Sequence, residues 1–240
     1  MVPLWVTELA DAFWAAAGIR EPVPRALRRP IARALQMAII SLPQLRLRHV
    51  LDWLRRHAIG CPCTAPDRGL HACLAAWKGW GYVFLDGADP EDEQRLSLAH
   101  ELAHFLRHYW RPRRLARRKL GEQSLDVFDG RRPPTGGERV HALLASVPIG
   151  FHLHLLDRDP QGGLPADTVL AAEEEADRLA YELLAPAEEI LNRGGSRRGQ
   201  ALAELLRIDF GLPAAHALRY AHILFPSEPA DPLLKRVGLG

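Results

Sequence analysis

The sequence predicts an α+β fold, mostly helical, with a small antiparallel sheet packed on one central helix. Three observations predict it. Apolar residues recur at helical spacing through the first sixty residues and again in the last third. Two short apolar and aromatic runs, Leu70–Trp77 and Trp80–Leu85, flank Lys78-Gly79 and read as a β-hairpin. Asp89-Pro90, followed by Glu91, Asp92 and Glu93, marks a helix start: Asp caps, Pro suits the first position, and acids favour the positive end of the helix dipole.

Taken in order, Trp5, Leu9 and Phe13 share one face of a helix over 4–17. Pro22 and Pro24 interrupt the pattern, which resumes over 25–41 and 46–58, so residues 1–60 read as an N-terminal helical segment whose many Arg form a solvated face. Cys61 to Gly69 is turn-like, and the hairpin follows. The helix opened by Asp89-Pro90 is predicted to run to about Trp110, before Pro112, and the basic stretch Arg107–Lys119 to be a solvated loop. Asp129-Gly130, Pro133-Pro134 and Gly136-Gly137 mark loops, while Glu138–Leu156 is apolar and reads as partly helical. A helix from Asp167 to Ala185 stops at Pro186, and the tail holds two short helices, 199–208 and 213–224. The expected organisation is a core over 61–190 with an insertion at about 111–165, and C-terminal short helices over 191–240 packed on that core.

Composition sets the outer bounds. The 240 residues are 48% hydrophobic and 25% charged, which is globular composition. Lys plus Arg number 31 against 29 acids, so a chain that is basic throughout is excluded and nucleic-acid binding is not expected. Three Cys exclude a disulfide scaffold, and their odd number fits a reducing compartment. No apolar run approaches the roughly 18 residues of a membrane span, and the first residues lack a basic leader. The expectation is a cytoplasmic protein with no membrane partner.

The chemistry is concentrated in His100-Glu101-Leu102-Ala103-His104, inside the marked helix. Residues four apart lie one turn apart on one face, so two imidazoles can point at one metal. Glu101 is rotated by about 100° and can reach a water on that metal. A catalytic zinc needs a third protein ligand and an open position. Glu173 and Asp177 share a face of the Asp167–Ala185 helix: one carboxylate can complete the metal shell, and the other can accept the free N–H of a ligand imidazole. Glu175 is the rival ligand and Glu174 reads as surface. Tyr181, His141, His152 and His154 are candidate donors to a developing oxyanion. The hairpin edge can hold an extended substrate by strand addition.

Two stretches, Leu98-Ala-His-Glu-Leu-Ala-His-Phe105 and Glu173-Glu-Glu-Ala-Asp-Arg-Leu-Ala-Tyr-Glu-Leu-Leu-Ala-Pro186, resemble the ImmA/IrrE family of zinc metallopeptidases. The resemblance covers residues 69–109 and 171–186 well and the rest weakly. It implies a zincin-like core and one Zn2+ per chain, bound by His100, His104 and Glu173, with Asp177 behind the ligands. Glu101 would be the general base for attack of a zinc-activated water on a peptide bond. It also implies a protein substrate, a helix-turn-helix repressor in the better-known members. The long segment between His104 and Glu173 departs from compact members and leaves the substrate open.

Two other classes of function compete. The tail resembles a helix-turn-helix and, with the Arg clusters, fits a DNA-binding regulator. A metal-binding regulatory protein without turnover would use the same His and Glu residues. Cys61, Cys63, His71 and Cys73 form a weaker candidate for a second metal site, because Cys-x-Cys is tighter than the usual structural spacing.

Overall fold

Four strands form one sheet: β1 (Met37–Leu42), β2 (Leu70–Trp77), β3 (Trp80–Asp86) and β4 (His152–Asp157), in the spatial order β1-β3-β2-β4. A computed structural model describes residues 2–61, 63–139, 152–157 and 167–226. The helices are α1 (Leu4–Ala17), α2 (Arg28–Ala34), α3 (Leu47–Arg56), α4 (Glu91–His104), α5 (Arg111–Leu120), α6 (Ser124–Phe128), α7 (Asp167–Leu184), α8 (Ala187–Gly194), α9 (Gly199–Ile208) and α10 (Ala214–Leu224). This is the α+β class. No helix among the described residues is long and apolar enough to cross a membrane.

The sheet is mixed, not antiparallel. The hairpin pairs β2 with β3 antiparallel, and β4 adds antiparallel to β2, but β1 runs parallel to β3, with Ile39 opposite Val83. Residues 25–41 were expected to be one helix; only Arg28–Ala34 is helical, and Met37-Ala-Ile-Ile-Ser-Leu42 is a strand. A short apolar run carries no period that separates strand from helix, and β3 is a partner distant in the chain. β4 likewise replaces the end of a segment read as partly helical; the rest of that segment lies outside the described residues.

Alternation along the strands builds two cores. Ala72, Leu74, Ala76, Val83 and Leu85 face α4, packing with Ala99, Leu102 and Ala103 and with α1 and α7 beyond. Leu70, Cys73, Ala75 and Phe84 face the other way, onto Leu47, Val50 and Leu54 of α3. The N-terminal helices are therefore divided, α1 on one side of the sheet and α3 on the other.

The hairpin turn sets the height of α4 against the sheet. Lys78 and Gly79 both have positive φ, 49° and 92°, as a two-residue turn matched to strand twist requires. Two residues on, Gly81 meets Phe105, the residue after His104. A Cβ there would come within 2.9 Å of both Met37 Cε and Phe105 Cε2, so any side chain would push the Phe105 ring away from the strand.

The helix predicted to stop before Pro112 continues. Phe105–Trp110 widens into a π-helical stretch and α5 follows, making the basic Arg111–Leu120 helical rather than loop. Proline lacks the N–H an α-helical ladder needs, and a π stretch just before it accommodates the mismatch. Asp89 does not cap α4 either; its side chain accepts a hydrogen bond from His71 Nδ1 at 2.7 Å.

Tyr109, in the π stretch, ties these parts together. Its hydroxyl accepts from Gly79 N at 2.8 Å and donates to Asp129 Oδ1 at 3.1 Å. Asp129 is buried and takes two hydrogen bonds from Arg113, each 2.8 Å. Asp129→Ala should cost about 2–3 kcal/mol in a urea melt. That is below the 3–5 kcal/mol of breaking a fully buried pair, because Arg113 keeps partial access to water. A loss under about 0.5 kcal/mol, the scale of a surface change, would contradict this account.

Candidate metal centre

α4 and α7 pack together beneath the sheet and bring their polar residues face to face. His100 and His104 are buried, with Nε2 atoms 3.1 Å apart. Glu173 reaches them from α7, Oε2 lying 3.2 Å from His100 Nε2 and Oε1 3.6 Å from His104 Nε2. His154 enters from β4, its Nε2 2.9 Å from Glu173 Oε1. One ligand atom from each of these four residues lies within 4.8 Å of all the others. On a zinc ion with bonds of about 2.0–2.1 Å, neighbouring tetrahedral ligand atoms sit about 3.4 Å apart. The separations between His100, His104 and Glu173 straddle that value, and the nitrogen and carboxylate donors suit such an ion. The group can hold a metal ion.

Around it, Asp177 lies one turn beyond Glu173 and accepts from His100 Nδ1 at 3.0 Å. With a metal bound, that hydrogen bond would keep the ring's proton on Nδ1 and turn the Nε2 lone pair toward the cluster. Asp177 is itself ion-paired to Arg219 of α10, a residue with no local sequence signal for this role. Glu101 is buried; one oxygen accepts from His154 Nδ1 at 2.9 Å and the other, Oε1, has no hydrogen-bond partner. A buried carboxylate oxygen left unpaired is a position where a proton can be taken up.

Burial opposes a charge on His100, but the carboxylates of Asp177 and Glu173 outweigh it and raise the imidazole to about 9. His154 is also buried, and Glu101 and Glu173 raise it to about 10. His104, where burial dominates, falls to about 4. Burial pushes Glu173 upward, yet its three imidazole neighbours hold it well below the usual carboxylate range.

The remaining sequence-stated candidates fall elsewhere. Glu175, the rival ligand, is held by Arg107 through hydrogen bonds of 3.0 and 3.2 Å, and Arg107 in turn stacks on Trp5. Glu174 is exposed. Tyr181 is buried against Tyr220 and shares a 2.9 Å hydrogen bond with His216 Nδ1, which engages the hydroxyl proposed for an oxyanion. His141 lies outside the described residues, and His152 is placed only by its backbone, opposite Ala76. Among the described residues, His154 is the oxyanion candidate that joins the group able to hold a metal. Its signal was the alternation His152-Leu153-His154-Leu155, a period of two that places every other residue on one face.

Cys61, Cys63, His71 and Cys73 do not form a second metal group among the described residues. His71 is paired with Asp89, and Cys73 faces α3. Both edges of the hairpin are already covered, by β1 and β4, so strand addition there is closed to a substrate. In the tail, Arg219 and His216 of α10 are engaged with Asp177 and Tyr181, which places them against α7. No family model matches the chain, and no curated protein matches it.

Proposed function

We propose that the protein is a zinc-dependent endopeptidase of the ImmA/IrrE type that cleaves a regulatory protein in the cytoplasm. The observation that carries the reading is the meeting of His100, His104 and Glu173 beside the buried, half-unpaired carboxylate of Glu101. His100, His104 and Glu173 would hold the zinc. A zinc ion held there would supply Lewis acidity, lowering the pKa of a water molecule toward about 7 and polarising a peptide carbonyl.

The chain's own residues do the rest. Glu101 takes a proton from the attacking water on its carboxylate and delivers it to the leaving amine nitrogen. Asp177 keeps the His100 ring oriented, and Arg219 keeps Asp177 charged and in place. Leu102, Ala99 and Ala103 wall the helix on the sheet side and exclude water there.

A second reading, a metal-binding regulatory protein without turnover, is favoured by one specific observation. Four protein side chains, not three, converge on the centre, and four-ligand zinc sites are as a rule structural. The test uses purified protein and the helix-turn-helix repressor encoded nearest its gene. The expected result is about one zinc per chain, and fragments of the repressor by mass spectrometry. Fragmentation should stop with a chelator and return with zinc. Stoichiometric zinc with the repressor left intact would overturn the peptidase reading in favour of the second.

A further inference from the structure

We propose that His154 is the fourth ligand of the bound metal, so that the centre is closed as folded and a substrate carbonyl must displace this imidazole. The ligand assignment stands on geometry alone; the need for displacement rests on the peptidase reading.

Backbone register aims the residue. In the antiparallel β2–β4 pair His154 lies opposite Leu74, and Leu74 faces α4. Its neighbour Leu153 packs into the opposite core, so the strand cannot rotate to carry the ring elsewhere without exposing Leu153. The ring then lies flat on that of His104, centroids 3.6 Å apart at 25°.

The two ring nitrogens have different partners. Nδ1 is 2.9 Å from Glu101 Oε2 and Nε2 is 2.9 Å from Glu173 Oε1, and a carboxylate only accepts. Nε2 and Glu173 Oε1 can approach this closely only with a proton or a metal ion between them, and a metal ion would take the place of that proton. His100 Nε2, His104 Nε2 and Glu173 already surround the place where that cation would lie.

Two consequences follow from one side chain. Four protein donors would fill a tetrahedral shell, so a carbonyl oxygen would need one of them to yield. The same imidazole also covers Oε2 of Glu101. Were His154 to yield, one donor position would open and Glu101 would lose a hydrogen bond, with no covalent bond changed.

The test loads the full chain with Co2+ in place of zinc and reads the visible spectrum, which reports coordination without any cleavage. Wild type should be insensitive to added azide. His154→Ala should give a changed spectrum that azide shifts further, and a metal affinity at least about tenfold weaker in chelator competition, since losing even an outer partner costs that much. His154→Cys should gain a thiolate-to-cobalt charge-transfer band beyond any that the wild-type chain, which carries Cys61, Cys63 and Cys73, shows either folded or in denaturant. Absence of that band in a Cys variant that still binds Co2+, or an azide response in wild type equal to that of His154→Ala, would overturn the assignment. Failure to cleave a repressor, by contrast, would leave these spectra unchanged and count only against the peptidase reading.

Discussion

Glu101→Gln is expected to keep its zinc and lose about 10²–10⁴-fold in kcat/KM, the range that general acid–base catalysis contributes. The substitution is nearly isosteric, and its amide oxygen can still accept from His154 Nδ1, so the pocket has no steric reason to rearrange. What disappears is a basic oxygen in a dry position, since an amide cannot take the proton. The measurement is cleavage rate beside zinc content on the same preparation. Activity within about tenfold of wild type, with zinc retained, would remove Glu101 from the role of base.

Glu173→Ala and Glu175→Ala should part company. The first removes the carboxylate that touches His100, His104 and His154, and zinc affinity should weaken by more than about 100-fold, beyond the cost of losing an outer partner. The second breaks only a partly exposed pair with Arg107, worth about 0–1 kcal/mol, and zinc should stay at one per chain. Competition with a calibrated chelator separates the two. Equal loss in both variants would show that the α7 helix as a whole, and not Glu173, governs the site.

What the sequence made legible was local. Acids in the first turn of α4, the pairs His100/His104 and Glu173/Asp177 at one-turn spacing, and the Lys78-Gly79 turn all depend on neighbours within four residues. What it concealed was long-range. Met37–Leu42 becomes a strand because β3 offers a parallel edge, a fact written nowhere near residue 37. Pro112 reads as a terminator until the π stretch before it is seen. His154 was named for a different task, because loop markers upstream hid the strand that aims it. Arg219 and His216 had no signal at all, since their partners lie in another helix.

The candidate ligands come from three places far apart in the chain: one helix supplies two, an edge strand one, and a second helix the last. An ion shared among them would be a cross-link as well as a reagent. It would fasten β4 to the sheet's helical face by something stronger than edge pairing, and it would close the long excursion between residues 104 and 173 as a staple closes a loop. Whatever binds the native arrangement and not the unfolded chain adds to stability in proportion to the logarithm of its concentration, about 2.7 kcal/mol at a hundred times its dissociation constant. Metal supply would then set how much of this protein stays folded, apart from any bond it cuts.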